Sequence, residues 1–151
     1  MAAERAARGG DAARDRDAAL ALVGPGTPLR SAIDRLVRAR RGALFVLGWT
    51  PEVEAICSGG FRIDVDATGQ RIAELAKMDG AIVLDAEGRR ILHANVQLAP
   101  DPALPTAETG IRHRSADRAA RQTGVPVVAV SEAMARVSLF HDGETVVVAD
   151  A

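Results

Sequence analysis

Apolar residues recur along this chain in three rhythms, and each rhythm predicts a different element. Leu29, Ile33, Leu36 and Val37 follow the i, i+4, i+7, i+8 spacing of an amphipathic helix. Thr27 is a suitable cap and Pro28 suits the first helical position, so this helix should run from there to about Arg41, with Gly42 as its stop. Three runs are continuously apolar, Ala43–Leu47, Gly80–Leu84 and Val125–Val130, and each reads as a buried strand. Pro126 belongs at an edge or among the first residues of its strand. Phe61, Ile63 and Val65 instead alternate with Arg62, Asp64 and Asp66, the pattern of a half-buried strand.

The segments between complete the outline. Thr68 can cap a helix whose inward face is Ile72, Leu75 and Ala76, ending near Met78. Asp85–Gly88 makes a turn into a returning strand, Arg90–Gln97. Arg136–His141 and Glu144–Ala149 form a second hairpin across Asp142-Gly143. Residues 49–60, with Pro51 and Gly59-Gly60, read as loop, and so do residues 99–110, with three prolines and Gly110. Residues 116–123 read as a helix closed by Gly124. Residues 1–18 hold almost nothing apolar beyond alanine and read as a flexible tail, disordered or a fraying helix, leaving 19–151 as one domain. Helices interspersed with strands and two hairpins predict an α/β fold with a mixed, parallel and antiparallel, central sheet flanked by helices.

Composition narrows the class. The chain has 151 residues, enough for a sizeable core, and its near-neutral net charge of −1 argues against a nucleic-acid surface. The single cysteine, Cys57, excludes an internal disulfide and multi-cysteine metal sites, which suits a reducing cytoplasm. No apolar run reaches bilayer-spanning length, and the N-terminus lacks the apolar core of a signal peptide.

Two short motifs carry the candidate chemistry. Arg112-His113-Arg114-Ser115 stands at or just before the start of the 116–123 helix, the wrong sign of charge for that end of a helix dipole. An anion held by free backbone N–H groups, the guanidinium forks and the Ser115 hydroxyl would resolve the mismatch, and phosphate is the obvious choice. The bland alternative is a solvated basic turn capped by Ser115. Asp79-Gly80-Ala81 joins a helix end to a buried strand. It reads either as ordinary punctuation with Gly80 as left-handed cap, or as a carboxylate at a sheet edge whose small neighbours admit a ligand. His93 and His141 lack partners at metal-ligand spacing and read as structural or exposed, and Cys57 has no basic neighbours to make it a catalytic thiol. No phosphate-binding glycine loop and no nucleophile elbow occurs.

Together, Asp79-Gly80-Ala81 and Arg112-His113-Arg114 resemble the paired motifs of the diadenylate cyclase family. The flanks Ile56–Phe61, Glu74–Met78, Ala94–Leu98 and Gln122–Gly124 are similar to the catalytic domain of its DisA branch rather than its membrane-anchored branch. The likeness spans about Leu20 to about Val148. It implies condensation of two ATP into cyclic di-AMP and two pyrophosphates, with Mg²⁺ or Mn²⁺. Carried over by position, Asp79 would bind metal and activate the 3′-hydroxyl, and Gly80, Ala81 and Leu98 would line the nucleotide pocket. Residues 111–115 would wrap the phosphates, with Arg112 and Arg114 as charge partners, His113 as donor and Ser115 supplying a hydroxyl. Ile111 stands where the family usually has threonine, so only its backbone N–H is available there.

Because each ATP is both nucleophile and electrophile, two pockets facing across a two-fold axis are expected, so the active unit is at least a dimer. The DisA branch implies an octamer, and it reaches DNA through a C-terminal region that this chain, stopping at Ala151, is expected to lack. Two other readings stand beside the enzyme: a non-catalytic nucleotide or cyclic-dinucleotide binding module, and an assembly domain using the basic turn as a subunit contact.

Overall fold

The computed structural model describes residues 15–133 and 136–148. It comprises α1 (15–22), α2 (Pro28–Arg38), β1 (Ala43–Leu47), α3 (Pro51–Ile56), β2 (Cys57–Ser58), β3 (Phe61–Asp66), α4 (Gly69–Leu75), β4 (Ala81–Leu84), β5 (Arg90–Leu98), α5 (Ile111–Thr123), β6 (Val127–Val130), β7 (Val137–His141) and β8 (Glu144–Val147). One sheet runs β2-β5-β4-β1-β6-β7-β8, with β3 also paired to β5. Only β1 and β4 are parallel, and every other pair is antiparallel, so the mixed sheet is as expected.

The three continuous apolar runs became β4, β1 and β6, adjacent central strands covered on both faces. On one face Leu29, Ile33 and Leu36 of α2 join Ile72 of α4 and Ala19 of α1 against Phe45, Ile82, Val128 and Leu139. On the other, Ala116, Ala119 and Ala120 of α5 and Val53 and Ile56 of α3 pack on Val46, Val83, Val127 and Phe140. The alanines of α5 let that helix lie close to the sheet with few side chains to order.

Several boundaries moved. The α2 helix stops at Arg38 because Arg40, at φ 56°, turns the chain left-handed before Gly42 is reached. Residues 51–56 are helical rather than loop: Thr50 accepts from the Val53 N–H ahead of Pro51, the same start signature that Thr27 and Pro28 give α2. Helix begins no later than residue 15, where Arg16 reaches Glu144 of β8, while residues 1–14 of the expected tail lie outside the described residues. Ala149, the expected end of the last strand, also lies outside them.

Candidate active site

The site forms where four strand ends meet. Parallel pairing sets the N-terminal ends of β1 and β4 side by side, with Phe45 opposite Ile82. Antiparallel pairing brings the C-terminal ends of β5 and β6 to the same edge, Ala81 opposite Val96 and Ala43 opposite Val130. Gly42, Gly80, Leu98 and Glu132 are thereby gathered, though 90 residues separate the first from the last.

Asp79 and Gly80 owe their position to a close approach. After α4 the chain turns through Met78, whose N–H bonds the Leu75 carbonyl. Gly80 then takes φ 100° and lies against β5, where an added Cβ would come within 2.8 Å of the Asn95 carbonyl carbon and 2.9 Å of the Val96 oxygen. β5 is itself bulged there: Asn95 has φ 55°, and Ala81 faces Val96 while Val83 faces His93. Only glycine fits this contact in this conformation. The preceding carboxylate is left exposed at the sheet edge, and Asp79 has no hydrogen-bond or ion-pair partner among the described residues.

The helix behind the basic motif begins earlier than expected. It starts at Ile111, with Gly110 as a cap that offers no side-chain bond, and the Arg114 N–H makes the first helical bond to the Gly110 carbonyl. Ser115 therefore sits inside the helix rather than capping it. Arginine and histidine do not oppose helix in themselves, so the loop persists only until its last glycine. The first turn holds two arginines and no acid. Its free N–H groups and dipole consequently point a double positive end outward.

Helical geometry then separates the three basic residues. Arg112 lies in the cleft, its guanidinium over Gly42 and its Nη1 3.3 Å from the Glu132 carboxylate. Arg114 is exposed and has no side-chain partner among the described residues. Ile111 is 86% exposed. His113 turns inward: it is buried, its Nε2 stands 3.3 Å from the Ser138 hydroxyl, and its ring meets Phe140 edge-on at 5.7 Å. Burial pushes its pKa down and nearby Arg136 adds to this, while Glu108 pulls the other way. A neutral imidazole packed under the helix is not presented to the cleft, contrary to the donor position expected for it.

Two adjoining hollows result. One, about 160 Å³, is lined by Gly42, Lys77, Asp79, Gly80, Arg112 and Glu132. The other, about 170 Å³, is lined by Leu44, Gly80, Ala81, Leu98, Arg112 and Ser115. Gly80 and Arg112 border both, so the structure assembles Asp79, Gly80, Ala81, Leu98, Arg112 and Ser115 in one place. Ile111 and Arg114 lie on the same first turn of α5 but line neither hollow. A larger hollow of about 720 Å³ between β3 and α4 contains none of these residues.

Gly42, Lys77 and Glu132 were missed by sequence reasoning. Gly42 had looked like a helix stop, and nothing local to Glu132 connects it with Arg112, 20 residues away. The remaining candidates read as structural take structural places. His93 stacks on Trp49 at 4.2 Å, and His141 is buried at the end of β7. The Cys57 thiol is pushed up by burial and by Glu54, which leaves it unreactive.

A single exposed carboxylate is a poor site for a resident metal. No group of three or more His, Cys, Asp or Glu side chains capable of holding one occurs among the described residues.

Comparison with known proteins shows the family and the fold. A family model for the nucleotide-binding domain of the DisA bacterial checkpoint controller, the DAC domain, matches residues 30–145. The chain is 55% identical over 126 residues to the DNA integrity scanning protein DisA of Acidothermus cellulolyticus, covering 83% of this chain and 34% of that protein. It is 54% identical over 126 residues to the protein of the same name in Corynebacterium efficiens, covering 83% and 35%. The chain thus spans about a third of the length of these curated relatives. A double mutant of DacA from Staphylococcus aureus shares the fold with a TM-score of 0.67 at 22% identity, over 82% of this chain and 85% of that one. A Bacillus cereus protein described as hypothetical and membrane spanning does so with a TM-score of 0.70 at 22% identity, over 82% and 62%. The chain belongs to the DAC, DisA nucleotide-binding, domain family. Among the described residues, no helix is long and apolar enough to cross a membrane.

Proposed function

We propose that this domain is a diadenylate cyclase, joining two ATP into cyclic di-AMP and releasing two pyrophosphates. The observation that carries the reading is the meeting of Asp79 and Arg112, 33 residues apart in sequence, in one cleft at the sheet edge. In each half-reaction the 3′-hydroxyl oxygen of one ATP attacks the α-phosphorus of the other. An O3′–P bond forms, the bond from the α-phosphorus to the pyrophosphate oxygen breaks, and the hydroxyl proton leaves through the Asp79 carboxylate to solvent. Charge grows on the α-phosphoryl oxygens and the departing pyrophosphate, so most of the acceleration must come from positioning and electrostatic stabilisation. Arg112 and the free N–H groups at the α5 start stand ready for that charge, Arg114 extends the positive rim, and Ser115 offers a hydroxyl. His113 supports the helix from beneath as a neutral packed group. Asp79 would hold Mg²⁺ or Mn²⁺ together with phosphate oxygens, and the bound cation would offset phosphate charge.

Ring closure requires two ATP molecules to exchange roles, so the working unit is at least a face-to-face dimer, and the family points to an octamer. The exposed Ile111 beside the cleft suits a surface covered by another subunit. Any contact with DNA belongs to regions outside this domain. Incubation with ATP and Mg²⁺ or Mn²⁺, followed by chromatography, should show cyclic di-AMP that disappears in Asp79→Asn. Tight ATP binding without product would assign the domain instead as a nucleotide-binding module.

A further inference from the structure

Gly42 has no conformational reason to be glycine. The α2 helix has already ended through Arg40, and among the glycines with positive φ Gly42 does not appear. What glycine provides at 42 is space. A Cβ built there would lie 2.5 Å from Arg112 Nη1, 2.7 Å from Cζ and 3.0 Å from Nε, and these are its three nearest atoms. The guanidinium plane therefore rests on the bare α-carbon at the start of β1. Glu132 meets its Nη1 from the side at 3.3 Å, but that pair is substantially exposed, with side chains 40% and 58% accessible. Exposed pairs of this kind contribute too little to fix a long side chain by themselves. The floor at Gly42 is the firmer constraint, because steric exclusion is not screened by water or salt.

We infer that Gly42 is a positioning residue: its missing side chain is the seat that holds the Arg112 guanidinium over the cleft containing Asp79. The inference rests on the nucleotide-site reading of that cleft and adds to it a residue on a different element. It distinguishes Gly42 from Gly80, whose substitution would strike backbone and disturb the sheet. At Gly42 the obstacle is the far end of a flexible side chain, which can swing aside while the fold stays intact. Alanine at 42 therefore displaces the guanidinium selectively.

The test is a two-residue cycle on the intact domain, read by calorimetric binding of ATP with Mg²⁺ and by thermal unfolding. Gly42→Ala should melt within a few degrees of the parent and bind ATP about tenfold more weakly, the size expected for losing one charge-assisted hydrogen-bonding group. Arg112→Ala should weaken binding at least as much. The double variant should bind no more weakly than Arg112→Ala alone, since the alanine methyl acts only through the guanidinium. Parent-like affinity in Gly42→Ala overturns the inference, as does a further loss when Gly42→Ala is added to Arg112→Ala. If Gly42→Ala folds poorly, the double variant decides: removal of the guanidinium should restore its melting temperature toward that of Arg112→Ala, and failure to do so overturns the inference. Unchanged ATP affinity in Arg112→Ala would overturn the nucleotide-site reading itself, a separate result.

Discussion

Among the described residues, the two longest helices lie on opposite faces of one sheet and begin in opposite ways. α2 is closed at its start by the Thr27 side chain, which accepts from the Arg30 N–H, and Pro28 occupies the first position with no donor to satisfy. α5 begins at Gly110 with no side-chain cap, two arginines in its first turn and no acid to offset them. α2 also lacks an acid in its first turn, but it has the side-chain cap and the proline start that α5 lacks. α5 leaves its start unsatisfied and adds charge of the unfavourable sign, a local cost that persists where the positive end has a ligand to meet. Both helices are anchored by buried faces, so burial holds α5 in place while its start remains open.

That contrast can be broken in three ways. The largest effect belongs to α2. Ile33→Ala removes a fully buried side chain and should cost about 2–5 kcal/mol in chemical denaturation, while ATP affinity of the folded protein stays unchanged. A fall in affinity matching the fall in stability would mean that the two faces are not separable.

The next effect has opposite signs on stability and binding. Gly110 has φ −76° and ψ 145°, and a Cβ there would meet nothing within 4 Å. Gly110→Asp supplies the missing cap and an acid for the dipole, and should raise stability by roughly 0.5–1 kcal/mol. The same carboxylate would occupy the N–H groups proposed here to meet phosphate, so ATP binding should weaken. Improvement in both quantities would show that the uncapped start serves no ligand.

The smallest is a slope with pH. The folded pKa of His113 lies below its unfolded value near 6.5, because burial and Arg136 disfavour the charged form. Between those two values the unfolded chain binds more protons. The stabilisation from the neutral ring is therefore complete above about pH 6.5 and is lost as pH falls through the folded value. Melting curves of His113→Gln should show a shallower decline between pH 7 and 5 than the parent does. An equal decline would place the titration elsewhere, with His93, also lowered by burial and Arg62, as the next group to replace.

Much of the fold was legible because its signals are local. The Thr-Pro start, the α2 stripe and the three apolar runs each reflect the period of one element, and all appear where expected. Thr50-Pro51 carried the same start signal and was passed over because Pro51 and Gly59-Gly60 suggested loop. The α5 start was misjudged for the reverse reason: charge argued against helix at Arg112–Ser115, although those residue types do not oppose helix and the burial of His113 and Ala116 anchors the turn.

The sequence by itself determined the identity of the paired motifs and the mixed α/β class, and a glycine between a helix end and a buried strand already offered the left-handed turn found at Gly80. Tertiary structure decided how those pieces combine. Parallel pairing of β1 with β4 set Gly42 beside Gly80, and the antiparallel return of β6 carried Glu132 to the same edge. The phase of α5 against the sheet turned Arg112 into the cleft and His113 beneath it. Strand order and helix phase depend on contacts between residues far apart in the chain, and no local pattern in the chain records them.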